Sequence, residues 1–304
     1  MGRRFDGQAA VVTGAGGGLG REYALLLAAE GAQVVVNDYG GDRAGTPGSV
    51  ERAEEVVHEI RSAGGTAVAD GCDIAVGGSA LIELALETFG GVHIIINNAG
   101  IAGGGAFDDI DPSAFDRMLD VHLGGTAAVT RAAWPVLRDQ GYGRIINTSS
   151  ASVFGMPGTS AYITAKAAVF GLTRALGREG RRHGIAVNAV MPTAYSRLTA
   201  ASPFIGRLME VSFPASAVAP FVVALASTEV RFTGETFVVG GGRAARVVLQ
   251  TVPGAAGLDT IDDCIAAFDQ VLALDDAYLP SDATDALRYE CGQLGIDLDE
   301  FFGR

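Results

Sequence analysis

The sequence predicts an α/β fold, a doubly wound parallel sheet flanked by helices, with a C-terminal helical extension. Three observations carry that expectation. Short Val- and Ile-rich runs alternate with longer helical patterns through residues 1–245. The runs are apolar at successive positions, as strands covered on both faces require. Glycine, 43 of 304 residues, gathers at particular junctions without a period. Right-handed crossovers between such strands place ligands at their carboxyl ends.

In chain order the apolar runs are AAVVTG (9–14), QVVVND (33–38), TAVADG (66–71), HIIINN (93–98), RIINTSS (144–150), IAVNAV (185–190) and ETFVVGG (235–241). Helical patterns separate them over 18–30, 50–63, 78–89, 113–139, 160–182 and 214–227. Residues 1–245 read as one domain and 246–304 as an acidic helical extension packed on it. That tail carries twelve Asp or Glu against Arg246, Arg288 and Arg304. Ile261, Ile265, Phe268, Val271 and Leu272 share one face of a helix expected over 260–274, and Ser281 is placed to cap a second.

Composition excludes several classes. With 48% apolar and 19% charged residues the chain is globular, and a net charge of −13 argues against nucleic acid or an anionic membrane as partner. The N-terminus lacks an apolar leader, and no 18-residue apolar run suggests a membrane span. Cys72, Cys264 and Cys291 are odd in number and unspaced, which points to a reducing, cytoplasmic setting. His58, His93, His122 and His183 have no metal-ligand spacing, so no metal is expected.

The segment VVTGAGGGLG (11–20) joins the first strand to the first helix. Its glycines, Gly14, Gly18 and Gly20, let backbone N–H groups and a helix N-terminus approach a pyrophosphate. Asp38 ends the second strand, where a carboxylate accepts both hydroxyls of an adenosine ribose and repels a 2′-phosphate. No arginine adjoins it, although Arg43 is not far off, so NAD(H) is expected over NADP(H). Asp73 ends the third strand, either as a turn residue or within reach of adenine. Lys166 is the only lysine in the chain and lies one helical turn after Tyr162. A phenol near pKa 10 is a poor acid–base group at neutrality, and a neighbouring ammonium favours its phenolate. The strand ending in RIINTSSAS supplies a serine hydroxyl to hold a substrate oxygen near Tyr162.

Together with INNAGIAGG (96–104), these motifs resemble the short-chain dehydrogenase/reductase family over about residues 7–242. The resemblance implies a Rossmann-type domain in which Tyr162 is the general acid/base, Lys166 lowers its pKa and binds nicotinamide ribose, and a serine polarises the carbonyl. It also implies that Gly14, Gly18, Leu19 and Gly20 wrap the pyrophosphate and that Asp38 holds the ribose. Asp73 and Ile74 would meet adenine, Asn98, Ala99 and Gly100 would support the cofactor, and Pro192 and Thr193 would contact nicotinamide. The family's usual spacing points to Ser149 as the serine, whereas counting from the strand points to Ser150; we take Ser150. Where the family often has Asn, this chain has His122, which could serve through its main chain, titrate or simply pack.

Within the family, VVVNDYGGD, DVHLGG, RIINTSSAS and PTAYSRLT look like the (3R)-hydroxyacyl-CoA dehydrogenase domain of peroxisomal multifunctional enzymes and are similar to actinobacterial hydroxysteroid-type dehydrogenases. The expectation is an NAD-dependent oxidoreductase interconverting a secondary alcohol and a ketone on a lipid-like substrate, CoA-linked or steroidal. The alternatives are an NADPH-dependent 3-oxoacyl reductase and an inactive scaffold or sensor. In the loop of residues 193–213, Arg197 and Arg207 are candidate anchors for CoA, while Leu198, Phe204, Ile205, Leu208 and Met209 offer an apolar lining. The resemblance also implies a homodimer or homotetramer built on the helices around 113–139 and 160–182.

Overall fold

The computed structural model describes residues 2–42, 48–195 and 203–296, apart from the side chains of 203–205. It divides into two units, Met1–Arg246 and Val247–Arg304. The first unit runs β1 (Ala9–Thr13), α1 (Gly18–Ala29), β2 (Gln33–Asn37), α2 (Glu51–Ser62), β3 (Thr66–Asp70), α3 (Ile74–Phe89), β4 (Ile94–Asn97) and α4 (Pro112–Leu119). A π-helical turn (Asp120–Gly125) leads into α5 (Thr126–Asp139), β5 (Gly143–Thr148), α6 (Ser160–Gly180) and β6 (Ile185–Pro192). Then come α7 (Pro203–Ser212), α8 (Ala219–Leu225), β7 (Thr236–Gly240) and β8 (Arg243–Val247).

The strands form one sheet in the order β3-β2-β1-β4-β5-β6-β7-β8, parallel from β3 through β7. Alternation along each strand builds the two layers. Val12, Val34, Val36, Ile94, Ile96 and Ile146 face the side covered by α1, α2 and α8. Val11, Val35, Ile95 and Ile145 face the other side, against Leu81 and Ile82 of α3 and Val129, Ala133 and Leu137 of α5. The chain reverses direction across the sheet between β1 and β4, so a crevice opens at their carboxyl ends. At the opposite rim the turns into β2, β3, β4, β5 and β6 each use a glycine with positive φ: Gly31, Gly64, Gly90, Gly141 and Gly184. Such residues end a helix without the steric cost that a β-carbon would add.

Four expectations need correcting. The final strand β8 was not foreseen; Gly241 and Gly242 turn β7 back on itself, and a two-residue connection permits only antiparallel pairing. The pattern over 113–139 is α4, the π-helical turn and α5, because the extra residue of a π turn keeps the helical path while shifting its face. In the second unit the expected helix over 260–274 is two short ones, α9 (Ile261–Ala266) and α10 (Phe268–Leu272), followed by α11 (Ala283–Gln293). Its apolar face is exposed, with Ile261 at 79% and Leu272 at 75%, so it is not a core stripe. The cap of α11 is Asp282, whose side chain accepts from the Asp285 N–H, and not Ser281. Within this unit, Tyr278 and Tyr289 stack at 4.4 Å, and Thr251 pairs with Tyr278 in a lone antiparallel bridge.

No single helix among the described residues is long and apolar enough to cross a membrane. The bent pair Gly206–Ser212 and Ala215–Leu225 passes by length and composition, but Val218, Val222 and Val223 of it are buried in the core.

Candidate active site

The loop after β1 meets the turn after β4 at the crevice. Thr13 Oγ1 accepts from the N–H groups of Asn98 and Ala99 at 3.0 and 3.1 Å. Asn98 Nδ2 donates back to the carbonyls of Thr13 and Gly14 at 3.0 and 3.1 Å. Gly14 has φ +63°, and a β-carbon there would stand 2.7 Å from Ala99 Cα. One on Gly20 would fall on the Gly14 carbonyl. Neither position admits a side chain, so the backbone of this loop stays bare. Gly18, Leu19 and Gly20 form the first turn of α1, which no side chain caps. Their N–H groups therefore face outward at the positive end of the helix.

Asp38 is buried at the end of β2, with Oδ2 accepting from Gly16 N–H and Oδ1 from Gly40 N–H, both at 2.8 Å. Asp73 caps α3 through Ala75 N–H and pairs with Arg117 of α4 at 2.7 Å. Ile74 beside it is buried, and its Cδ1 would lie 2.5 Å from a β-carbon on Gly125 of the π-helical turn. Thr193 N–H bonds to the Val239 carbonyl at 2.8 Å, which fixes the end of β6 where Pro192 and Thr193 leave the sheet.

The polar trio converges at the carboxyl ends of β4 and β5. Ser150 Oγ accepts from Ser152 N–H at 3.2 Å, donates to Ser152 Oγ at 3.1 Å and lies beside the Tyr162 phenol. Ser149 points elsewhere: buried, it donates to the Lys166 carbonyl at 2.8 Å and braces α6. The fold thus brings Ser150, not Ser149, to the phenol. Lys166 Nζ donates to the Thr148 carbonyl at 2.7 Å and stands 5.8 Å from the centre of the Tyr162 ring.

Burial raises the Tyr162 phenol above its ordinary value, and the Ser150 hydrogen bond opposes that rise. Burial also pushes Lys166 down to about 7. His122, in the π-helical turn, is 2% exposed and meets the Tyr162 ring edge to face at 5.3 Å. Its Nε2 lies 2.9 Å from the Ile101 carbonyl and 3.2 Å from the Ile101 N–H, while Nδ1 is buried without a partner. Burial, then the Lys166 charge, hold His122 well below the ordinary histidine range. The ring packs on Gly100, where a β-carbon would strike it.

A bare glycine cradle, an uncapped helix start and a buried carboxylate at the neighbouring strand end fit a dinucleotide. A family model described as short chain dehydrogenase matches residues 8–202. The chain belongs to that family. A Mycobacterium tuberculosis protein named as a short-chain type dehydrogenase/reductase is 45% identical over 250 residues, 81% of this chain and 86% of that one. Peroxisomal multifunctional enzyme type 2 of Mus musculus is 43% identical over 253 residues, 83% of this chain but 34% of that enzyme. Measured against this multifunctional relative, the short-chain dehydrogenase described here spans about a third of the length. A crystal structure of a short chain dehydrogenase from Mycobacterium avium matches with TM-score 0.74 and 36% identity, over 89% of this chain and 97% of that one. Full-length peroxisomal multifunctional enzyme type 2 from Drosophila melanogaster matches with TM-score 0.80 and 31% identity, over 96% of this chain and 50% of that one. Short-chain dehydrogenases are oxidoreductases that bind a nicotinamide cofactor.

Some residues of this short-chain dehydrogenase escaped the sequence reading. Arg117 has no sequence signal, because its bond to Asp73 joins α4 to α3 across 44 residues. Arg52 is another, brought beside Asp38 by the start of α2. Arg197 and Leu198, like Arg43, lie outside the described residues, as do the side chains of Phe204 and Ile205. Arg207 and Leu208 are exposed. No group of three His, Cys, Asp or Glu able to hold a metal occurs among the described residues.

Proposed function

We propose that the enzyme is an NAD-dependent dehydrogenase interconverting a secondary alcohol and a ketone on a (3R)-hydroxyacyl-CoA or hydroxysteroid-type substrate. The observation that carries it is the meeting of Ser150, Tyr162 and Lys166 beside the glycine cradle. Lys166, Pro192 and Thr193 would hold the nicotinamide end of the cofactor, which would supply the hydride donor or acceptor. The remaining work falls to the chain. Ser150 Oγ donates to the substrate oxygen and orients it, and Tyr162 removes or returns the proton on that oxygen. Lys166, held at Thr148, supplies positive charge beside the phenol in its protonated form. His122 and Gly100 keep the Tyr162 ring from turning away.

NAD(H) rests on Asp38, whose buried carboxylate suits a ribose diol and opposes a 2′-phosphate. The acyl or steroid class rests on the multifunctional relatives. Three unpaired cysteines are consistent with a cytoplasmic location. Two or four copies, joined through α5 and α6, complete the proposal; sedimentation showing only monomer would contradict that part.

The test is a panel of 3-hydroxyacyl-CoAs and hydroxysteroids offered with NAD+ and with NADP+, scored by reduced dinucleotide formed. Turnover of one class with NAD+ supports the reading, and a consistent preference for NADP+ sinks the cofactor assignment. Tyr162→Phe should lower kcat by about a hundredfold or more with the fold intact by circular dichroism. Unchanged turnover in that variant removes Tyr162 from the chemistry.

A further inference from the structure

Ser150 follows β5 and caps a short 3-10 turn, Ala151–Phe154, which carries Ser152 back over it. Backbone bonds pin that turn. Val153 N–H reaches the Ser150 carbonyl at 3.2 Å, and Gly155 N–H reaches the Ser152 carbonyl at 2.9 Å. Gly155 closes the turn with φ +109°, in the region that favours glycine. Ser152 therefore presents two groups to one atom. Its N–H lies 3.2 Å from Ser150 Oγ, and its own Oγ lies 3.1 Å from the same oxygen. As the two hydroxyls stand, the Ser150 proton points at Ser152 Oγ. A serine hydroxyl has one proton to give and two lone pairs to accept with. To polarise a substrate oxygen, Ser150 must take its proton off Ser152.

We infer that Ser152 is a positioning residue that reverses its hydrogen bond to Ser150 when substrate arrives, making Ser150 a pure donor. The inference rests on the dehydrogenase reading, in which Ser150 donates to the substrate oxygen. The Ser150 proton swings to that oxygen, and Ser152 turns its own hydroxyl proton toward Ser150 Oγ. Both lone pairs of Ser150 are then filled, one by the Ser152 N–H and one by the Ser152 O–H. Its proton is left with the substrate as partner. Donors that act on an oxygen polarise its remaining O–H bond, so the Ser150 donor grows stronger. The reversal needs only hydroxyl rotation, because the 3-10 turn already holds the heavy atoms in place. A methyl group at position 152 would keep the N–H and lose the reversible arm.

The experiment is steady-state kinetics on the full chain, using the best substrate of the panel above and its preferred dinucleotide. Ser152→Ala should lower kcat about five- to tenfold, as the loss of one neutral hydrogen bond does, with KM within about twofold of the parent. Ser152→Thr keeps a hydroxyl and should recover most of that loss. In a Ser150→Ala background, Ser152→Ala should cost nothing further, because the residue acts only through Ser150. The inference is overturned if the two losses multiply, or if Ser152→Thr falls as far as Ser152→Ala. It is also overturned if Ser152→Ala raises KM and spares kcat, since Ser152 would then be a substrate contact. Failure of the parent reading looks different: Ser150→Ala with unchanged turnover takes Ser150 out of the chemistry, and the role of Ser152 goes with it. Melting curves on each variant establish that it is folded before assay.

Discussion

Ser149 and Ser150 adjoin in the chain and serve different ends, because strand geometry sends successive side chains to opposite faces. Ser150→Ala should cut kcat by about a hundredfold or more, as the loss of one polarising donor does elsewhere, with little change in melting temperature. Ser149→Ala removes a buried hydrogen bond to Lys166, at a cost of about 1 kcal/mol, and should register mainly as lost stability. The reverse pattern would return the role to Ser149. His122 makes a separate prediction about pH. Its folded form resists protonation well below the ordinary value of 6.5, whereas in the unfolded chain it titrates near that value. Below about pH 6.5 the unfolded state therefore binds more protons, and stability falls as pH falls. His93, lowered by burial, acts in the same direction. His122→Asn should shrink the drop in Tm between about pH 7.5 and pH 5.5; an unaltered drop would show that His122 is protonated when folded. The sequence made Tyr162, Lys166 and the glycines legible because each belongs to a short local spacing. Arg52 and Arg117 belong to no spacing, and only the folded chain shows what they touch.

The buried strands were readable because a sheet covered on both faces demands unbroken apolar runs, as in Ile94, Ile95 and Ile96. By contrast β8, with Arg243 and Arg246 at a sheet edge, carries no such run, and Arg246 pairs with Glu235 at 2.7 Å. Periodicity also cannot report a break that preserves phase, which hid the π-helical turn and the division of α9 from α10. The closeness of α3 to α5 was hidden for another reason: it depends on Gly78, a position without a side chain to read. A β-carbon there would stand 2.8 Å from Val129 N and 2.9 Å from Ala128 C, both backbone atoms that cannot rotate aside. Gly78→Ala should destabilise the enzyme by about 1–3 kcal/mol, lowering Tm by roughly 2–4 °C per kcal/mol. An equal or higher Tm would mean that the two helices can separate freely.

Across the whole molecule, the residues proposed to hold the dinucleotide lie at or just beyond the ends of β1, β2, β3, β4 and β6 and on α1, α3 and α6, so binding should steady the sheet as a unit. NAD+ at a hundred times its Kd should add about 2.7 kcal/mol of stability, and NADP+ at the same concentration less. A larger thermal shift with NADP+ would contradict the assignment made from Asp38. The arrangement of the two rims has a practical outcome. All of those groups gather at one end of the strands, while the positive-φ turns at Gly64 and Gly90 occupy the other, with open space around their α-carbons. A peptide tag or reporter grafted into either turn would sit a strand's length from the chemistry, making that rim the place to tether the enzyme to a surface.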